Sequence, residues 1–290
     1  MMNMNRNKTN SSGNPLSQLF WFLALLSLSL RMTSPTDSCK TLPLRFVSFN
    51  CSGVKHVIRD VRSICSHHDV VILQETWLLP KDLTFLNSID KDFLSFGTSA
   101  VDTTTGVLIG RTYGGMAFLW RRDLDVKFNS IDYGDSRLLG LEIKIAGVST
   151  LILNVYLPTF CHKNFHEYQD YIGRINAIVR DSESDKVMIA GDWNADPSLQ
   201  YFAWLRELCQ ELSLEVLDTH CLPVDTFTFV SNQHAGSTSW LDHIIVSRSI
   251  MNSYVDVNVL YDNILSDHRP LSYSIDYGEI HLQSKSLDTD

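Results

Sequence analysis

The sequence has few of the residues that cross-link small proteins or mark linkers in modular ones. Its six cysteines among 290 residues include no pair spaced as CxxC, which excludes a dense disulfide scaffold and argues against a structural zinc site. No proline-, glycine- or serine-rich linker, repeat or low-complexity block interrupts residues 42–276. That stretch is therefore expected to fold as one domain, with residues 277–290 as a polar tail.

Basic charge is also scarce. Lysine and arginine number 24 against 33 aspartates and glutamates, for a net charge of −9. Proteins that hold nucleic acid by charge alone are usually basic, so tight, salt-driven binding to DNA of any sequence is not expected. A phosphate substrate is still compatible with an acidic chain, because a divalent cation held by carboxylates attracts phosphate.

Long apolar runs are confined to one segment near the N-terminus. Leu16 to Leu30 is uncharged and mostly apolar, follows Arg6 and Lys8, and is too short for a comfortable membrane span. It resembles a secretory signal but lacks a clean small-x-small cleavage site; the alternative is a non-native extension. Under either interpretation residues 1–41 form an extension outside the fold, and no stable membrane domain is expected.

Short apolar runs alternate with amphipathic segments between residues 42 and 276. Apolar residues alternate with Gly140, Glu142 and Lys144 over residues 139–145, as in a half-buried antiparallel strand, and apolar residues recur at helical spacing within 54–65, 165–179 and 202–212. About nine strands and three helices favour an α/β fold with two sheets face to face and helices outside. The predicted strands are 44–50, 70–74, 115–120, 137–145, 151–156, 186–190, 226–230, 242–247 and 269–275.

Polar residues stand at the ends of these apolar strands, where burial would be costly unless the residues are used. Strand ends that converge on one rim of a sheet pair would form a pocket of oxygen ligands. Oxygen ligands suit a hard cation, Mg²⁺ or Mn²⁺. The residues concerned are Asn50, Glu75, Tyr156, Asp192, Asn194, Asp242, Asp267 and His268.

Each of these positions also has an ordinary interpretation. Glu75 could lie at a helix N-terminus, GDWNAD could be a tight turn, and residues 266–268 could be a surface turn closed by Pro270. Tyr156 could be only an amphipathic strand-end residue. The order and spacing of the whole set, rather than any one member, indicate function.

The ordered motifs SFN, QET, NVYLP, GDWNAD, SWLDHI and SDHRP resemble the endonuclease/exonuclease/phosphatase superfamily over about 235 residues. SWLDHIIVS followed by SDHRP is most similar to non-LTR retrotransposon endonucleases, which are related to abasic-site endonucleases. The resemblance implies a four-layer α-β-β-α sandwich that cleaves phosphodiesters with Mg²⁺, with Mn²⁺ as the alternative cation.

The resemblance also implies roles for individual residues. Glu75 corresponds to the principal metal ligand, with Asn50 beside it and Asp267 as a second carboxylate on the metal side. Asp192 corresponds to the residue that orients or deprotonates the attacking water. The phosphate-facing residues are then Asn194, Tyr156 and His268, with Asp242 as the carboxylate partner of the histidine.

Two positions depart from the abasic-site enzymes. Ser52 stands where those enzymes carry an acid, and Thr159, a candidate substrate-binding residue, stands where they carry an asparagine. Both departures put abasic-site specificity in doubt. Arg137 is a candidate contact to the substrate backbone, with a surface strand charge as the alternative. The histidine pair at residues 67 and 68 has no family role and is expected to lie on the surface.

The leading expectation is a DNA endonuclease, either a retrotransposon domain or a host protein derived from one, acting as a monomer. The alternatives are a phosphodiesterase of a phospholipid headgroup or of RNA, since a fold does not fix a substrate, and a catalytically inactive binding module. No reverse transcriptase is expected in this chain. Localisation follows the N-terminal run: secretory if it is a signal, nuclear or intracellular if the chain derives from a retrotransposon.

Overall fold

The structure is a computed structural model that describes residues 43–104, 106, 110, 112–232, 236–262 and 264–278. The N-terminal extension and residues 279–290 of the expected tail lie outside the described residues. Tyr277, which was assigned to the tail, packs against Phe46 of the core with ring centroids 6.5 Å apart. Within the described part of the chain, no helix is both long and apolar enough to cross a bilayer.

Two six-stranded sheets form the body of the domain. The first has the order β13-β14-β1-β2-β4-β3, and the second has the order β5-β6-β7-β8-β12-β9. Their strands are β1 (Leu44–Asn50), β2 (Val70–Gln74), β3 (Phe93–Thr98), β4 (Met116–Arg121), β5 (Lys127–Asp132), β6 (Leu138–Ile145), β7 (Val148–Tyr156), β8 (Lys186–Asp192), β9 (Leu214–Val216), β12 (Asp242–Ser247), β13 (Tyr254–Val259) and β14 (Leu271–Ile275).

A short hairpin and seven helical segments complete the described elements. The hairpin consists of β10 (Phe229–Val230) and β11 (Thr238–Ser239). The helices are α1 (Ile58–His67), α2 (Phe165–Asp181), α3 (Gln200–Leu212), α4 (Leu217–Cys221) and α5 (Arg248–Met251), with 3₁₀ turns at Pro80–Ser88 and His162–Asn164.

Both sheets are mainly antiparallel. In each sheet a single pair of strands runs parallel, β1 with β2 and β7 with β8, and every other pairing is antiparallel. β6 and β7 join through Ala146 and Gly147, whose φ angles of 49° and 86° suit a two-residue hairpin. The predicted α/β fold of two mainly antiparallel sheets flanked by helices is confirmed.

Three apolar layers hold the elements together. The central layer lies between the sheets and includes Phe46 and Phe118 from the first sheet and Leu141 from the second. A second layer packs the outer face of the second sheet against α2 and α3, and a third packs α1 against the outer face of the first sheet. Alternate residues of a strand face opposite sides, so each sheet can be buried on both faces.

The count of about nine strands was too low, because the short hairpin strand β11 and the four edge strands of the two sheets were missed. The edge strands are β3, β5, β9 and β13. The residues of β5 are exposed or half-buried throughout, and β13 has a single buried residue. Edge strands of this kind lack the apolar run or clean alternation that marks a central strand.

Two further expectations were wrong. The strand expected over 226–230 is reduced to Phe229 and Val230, and the Thr228 hydroxyl just before it accepts hydrogen bonds from Leu241 N and Asp242 N instead. His68 is buried rather than on the surface; its Nδ1 lies 2.9 Å from the Ile64 carbonyl and its Nε2 lies 2.8 Å from Ser272 Oγ.

Candidate active site

The second sheet places three of the polar strand-end residues side by side. Tyr156 of β7 is in register with Asp192 of β8, and Asp192 is in register with Asp242 of β12. Residues in register on neighbouring strands project from the same face of a sheet. The carboxyl end of the parallel pair and the amino end of β12 therefore present a tyrosine and two aspartates as one row.

The first sheet supplies the facing side chains. Asn50 ends β1 and is fully buried, and Glu75 follows β2 directly. Asn50 Nδ2 donates to Glu75 Oε1 at 3.1 Å and to Asp192 Oδ2 at 2.9 Å. One amide group thus joins the carboxylate of the first sheet to that of the second, and the site is built across the two sheets.

Glu75 lies in a tight backbone turn. Its φ is 53° and that of Trp77 is 54°, values that are uncommon outside glycine. Hydrogen bonds from Gly53 N to Glu75 O at 2.8 Å and from Thr76 N to Gly115 O at 3.0 Å hold this turn from both sides. Backbone strain that the surroundings enforce is typical of functional sites.

His268 enters the row from the loop before β14. Its Nδ1 lies 2.8 Å from Asp242 Oδ2, and its Nε2 lies 3.7 Å from Asp192 Oδ2. Burial disfavours the imidazolium, but the charges of Asp242 and Asp192 outweigh it and raise the pKa of His268 to about 10. The buried ring is therefore a cation near neutral pH, and its Nδ1–H donates a hydrogen bond to Asp242 Oδ2.

Asp192 has an unusual acidity of its own. Burial raises the pKa of this carboxyl to about 7, although the His268 charge and the hydrogen bond from Asn50 act in the opposite direction. A carboxyl that titrates near neutral pH can exchange a proton there, as a general base or acid must. The phenol of Tyr156 also has a raised pKa, because of burial first and the nearby Glu75 and Asp192 charges second.

The turn after Asp192 is tightly determined. Asn194 has a φ of 48°, donates its backbone N–H to Asp192 Oδ1 at 3.0 Å, and donates its side-chain Nδ2 to Leu157 O at 2.9 Å. Gly191 is required just before it, since a Cβ there would lie 2.0 Å from Val155 O. The GDWNAD segment is therefore more than a surface turn: it fixes two polar side chains in the buried row.

Asp267 and Glu75 both line a polar cavity of about 540 Å³. Asp267 Oδ1 accepts from Ser52 Oγ at 2.8 Å, so a hydroxyl donor occupies the position at which abasic-site enzymes carry an acid. The wall of this cavity is completed by His56, Trp77, Phe229, Ser231, Asn232, Leu265 and Ser266.

Two groups of side chains could take a metal ion. Asp192, Asp242 and His268 offer ligand atoms within 4.8 Å of one another. However, the two ring nitrogens of His268 face carboxylates and its pKa is high, so the ring is a proton donor rather than a ligand. Glu75 and Asp267 instead present carboxylates to an open cavity, beside the amide of Asn50. Such oxygen donors fit a hard divalent cation.

Arg137 contacts Tyr156 of the row, whereas Thr159 lies on the exposed loop that follows it. Arg137 Nη1 donates to Tyr156 O at 3.1 Å, its guanidinium lies 5.0 Å from the Tyr156 ring centroid, and its Nε lies 3.4 Å from Glu167 Oε1. Thr159 is exposed on the loop after β7, where its carbonyl accepts from Asn164 Nδ2 at 2.8 Å. The structure brings Arg137 to the tyrosine and leaves Thr159 at the rim.

Three supporting residues were not assigned from the sequence. Gln74 Nε2 donates to Asn154 Oδ1 at 2.8 Å, an amide pair buried between the two sheets directly behind the site. Thr228 Oγ1 accepts from Asp242 N at 3.0 Å and so holds the start of β12. A polar residue inside an apolar strand was the available signal for Gln74 and Asn154, whereas Thr228 gave none.

The arrangement can be compared with known proteins. Residues 47–268 match the model of the Endonuclease/Exonuclease/phosphatase family, which spans the first strand of the core to the histidine of the buried row. The chain belongs to the endonuclease/exonuclease/phosphatase family. Because this family comprises nucleases and phosphatases, the prediction of a hydrolase acting on phosphate esters is confirmed. No curated protein matches the sequence.

Solved structures with the same fold include two endonucleases and a phosphatase bound to DNA. An AP endonuclease, LMAP from Leishmania major, is 15% identical, with a TM-score of 0.67 over 81% of this chain and 88% of that one. The 3′ phosphatase NExo from Neisseria, bound to a product DNA hairpin, is 18% identical, with a TM-score of 0.63 over 81% of this chain and 100% of that one.

The third is the endonuclease domain of TRAS1, a telomere-specific non-LTR retrotransposon. It is 16% identical, with a TM-score of 0.61 over 80% of this chain and 98% of that one. At these identities the likenesses establish the fold. The family itself is shown by the match over residues 47–268, and the substrate has to be argued from the site.

Proposed function

We propose that this chain is a Mg²⁺-dependent phosphodiester hydrolase that cleaves DNA internally, as retrotransposon endonucleases do. One observation supports this most: a buried row with a cationic histidine lies next to a cavity lined by two carboxylates. The histidine can donate to a phosphate oxygen, and the two carboxylates can hold a cation beside the same phosphate. Together these groups suit a phosphate that must be both bound and attacked. The comparisons add that proteins of this fold include a retrotransposon endonuclease domain and a phosphatase bound to DNA.

Glu75 and Asp267 would hold the cation, with Asn50 orienting the Glu75 carboxylate from the side away from the cavity. When bound, the cation supplies charge stabilisation for the phosphate oxygens and the leaving group. Mn²⁺ satisfies the same oxygen donors and is expected to substitute.

Asp192 would activate the water. Its Oδ1 accepts from the Asn194 backbone and its Oδ2 from Asn50, so the carboxylate cannot rotate freely. A pKa of about 7 lets it accept a proton from water as the water oxygen forms its bond to phosphorus. The bond from phosphorus to the leaving oxygen then breaks, that oxygen takes up a proton from solvent, and Asp192 returns its proton to solvent.

His268 would bind the phosphate and stabilise its developing charge. Nδ1 is engaged by Asp242, and the 3.7 Å from Nε2 to Asp192 is too long for a good hydrogen bond, so the Nε2 proton is left for a phosphate oxygen. Preorganised donors of this kind contribute strongly to catalysis. Tyr156 and Asn194 adjoin the same face and would supply further donors, and Arg137 over the Tyr156 ring would contact the substrate backbone.

The proposal is tested on a panel of phosphodiesters. Supercoiled plasmid, single-stranded RNA and phosphatidylcholine vesicles are incubated with the full chain in Mg²⁺ and in excess EDTA. We expect nicked plasmid in Mg²⁺ alone. Release of headgroup or shortening of RNA without plasmid nicking would replace DNA as the substrate, and no hydrolysis of any member would favour a binding module.

A further inference from the structure

Glu75 has a hydrogen-bond donor on each of its carboxylate oxygens. Asn50 Nδ2 reaches Oε1 at 3.1 Å, and the indole Nε1 of Trp77 reaches Oε2 at 2.8 Å. The asparagine belongs to another strand, whereas Trp77 follows Glu75 by only two residues. A single short segment therefore carries both the carboxylate and one of the groups that orient it.

The backbone turn makes this contact possible. Two residues with φ near 54°, Glu75 and Trp77, flank Thr76. Trp77 N donates to Gly114 O at 2.9 Å and Val54 N donates to Thr76 O at 3.1 Å. These bonds fix the turn to the β4 side and the β1 side at once, so the indole and the carboxylate keep one relative orientation.

The Trp77 indole packs directly against Gly53, where the absence of a side chain leaves room for the ring. Gly53 has a φ of 103°, and a Cβ at this position would lie 2.7 Å from Cε3 of the Trp77 ring. Such a separation is well inside van der Waals contact, so a side chain at residue 53 would displace the ring. The indole also lines the cavity that Glu75 and Asp267 share. Its ring face rests on the glycine while its N–H points at Glu75.

We propose that Trp77, seated on Gly53, is a positioning residue that presents the Glu75 carboxylate to the catalytic cation. This rests on the proposed function only in taking Glu75 as a metal ligand. Groups that hydrogen-bond to metal ligands restrict the ligand orientation, and their loss typically lowers metal affinity about 10–100-fold. The indole N–H is a donor only, so it engages the ionised carboxylate that a cation requires.

The first test measures Mn²⁺ binding to the full chain by the electron paramagnetic resonance signal of free Mn²⁺. Trp77→Phe keeps an aromatic ring on Gly53 but removes the N–H, and we expect an affinity about 10-fold weaker. Trp240→Phe is the matched control, because it makes the same substitution at a buried indole whose Nε1 has no hydrogen-bond partner within the described part of the chain. It should bind Mn²⁺ as the unsubstituted protein does.

Thermal unfolding of both variants separates positioning from general loss of structure. An unchanged Mn²⁺ affinity in folded Trp77→Phe overturns the inference. If the unsubstituted protein binds no Mn²⁺, or if Glu75→Gln leaves binding intact, the metal site of the proposed function is itself wrong. The two failures are therefore distinguishable.

A second measurement needs no variant at the site. In ¹⁵N-labelled protein each indole N–H gives its own resonance, and Mg²⁺ is diamagnetic. Addition of Mg²⁺ should shift the Trp77 indole resonance because the carboxylate that accepts its hydrogen bond becomes coordinated, while the Trp240 resonance stays in place. A Trp77 resonance that does not respond while Mg²⁺ binds would contradict the inference even if Trp77→Phe fails to fold.

Discussion

Removing the negative charge from Asp242 is expected to change the pH dependence of turnover. Asp242→Asn keeps the size of the side chain, and Asp242 and His268 are both almost fully buried at an atom separation of 2.8 Å. Without that charge, the burial that disfavours the imidazolium is opposed mainly by Asp192. The pKa of His268 should then fall from about 10 toward the ordinary histidine value of about 6.5 or lower.

The magnitude follows from the protonated fraction. At pH 7.5 a histidine with a pKa near 10 is almost wholly cationic, whereas one with a pKa of about 6.5 is cationic in only about a tenth of the molecules. The smaller protonated fraction of His268 should therefore by itself reduce turnover of the variant about 10-fold or more at this pH. The variant also loses the carboxylate that keeps a proton on Nδ1 of His268, and this loss lowers turnover by a further factor that does not depend on pH. In a serine protease triad the same substitution lowers turnover about 10⁴-fold in total.

The assay is the ratio of kcat for the unsubstituted protein to kcat for Asp242→Asn between pH 5.5 and 8.5. The Asp242 charge raises the pKa of Asp192 and the His268 charge lowers it, so their joint loss in the variant has opposing effects on Asp192. The ratio should therefore decrease as the pH falls and the variant histidine regains its proton. Asp218→Asn is the matched control, because Asp218 holds His243 at the same 2.8 Å on the other face of the sheet. It should lower stability without a pH-dependent ratio. A ratio for Asp242→Asn that is constant with pH would refute the assignment of His268 as the acting cation.

Three further predictions concern stability and substrate binding. Asn154→Ala should lower the free energy of unfolding in urea by about 2 kcal/mol, because it removes the buried bond from Gln74 Nε2 and the bonds from Asn154 Nδ2 to the Leu73 and Ala117 carbonyls; a loss near zero would contradict the inter-sheet role. The metal-free protein should lose stability as pH rises from 6 to 10. His268 has a folded-state pKa raised from 6.5 to about 10, so its contribution is complete below about 6.5 and is lost as the pH rises through about 10. Asp192 has a folded-state pKa raised from 3.8 to about 7, so its contribution is already lost by about pH 7, and a melting temperature that rises between pH 7 and 10 would be inconsistent with the raised pKa of His268. Arg137→Ala should raise KM for DNA more than it lowers kcat and should reduce the salt dependence of KM, and an unchanged KM would leave Arg137 as a support for Tyr156 alone.

The central strands could be predicted from the sequence to within a few residues, and the edge strands could not. VVILQ is a continuous apolar run because β2 is buried on both faces, and its predicted bounds match the structure. KFNSID forms β5 with no fully buried residue, so its conformation depends on pairing with β6 rather than on its own pattern. Strand pairing is a tertiary property, and a single sequence records it only weakly.

The site was predictable in composition but not in its connections. Acidic and amide residues beyond apolar strands indicated Glu75 and Asp192, because uncompensated burial there would be costly. That Asn50 would bridge those two carboxylates required the packing of one sheet on the other, which no local pattern encodes. The hydrogen bond from the Trp77 indole to Glu75 could not be predicted either, since it depends on the positive φ angles of both residues.

The most direct test of the account is the rate of plasmid nicking as a function of Mg²⁺ concentration for the unsubstituted protein and for Glu75→Gln. Glu183→Gln, at an exposed carboxylate in the loop after α2, is the control for loss of one negative charge. We expect nicking that saturates with Mg²⁺ in the unsubstituted and control proteins, and almost none with Glu75→Gln at any Mg²⁺ concentration. Nicking that persists in excess EDTA, or that Glu75→Gln retains at the full rate, would contradict a metal-dependent site at Glu75.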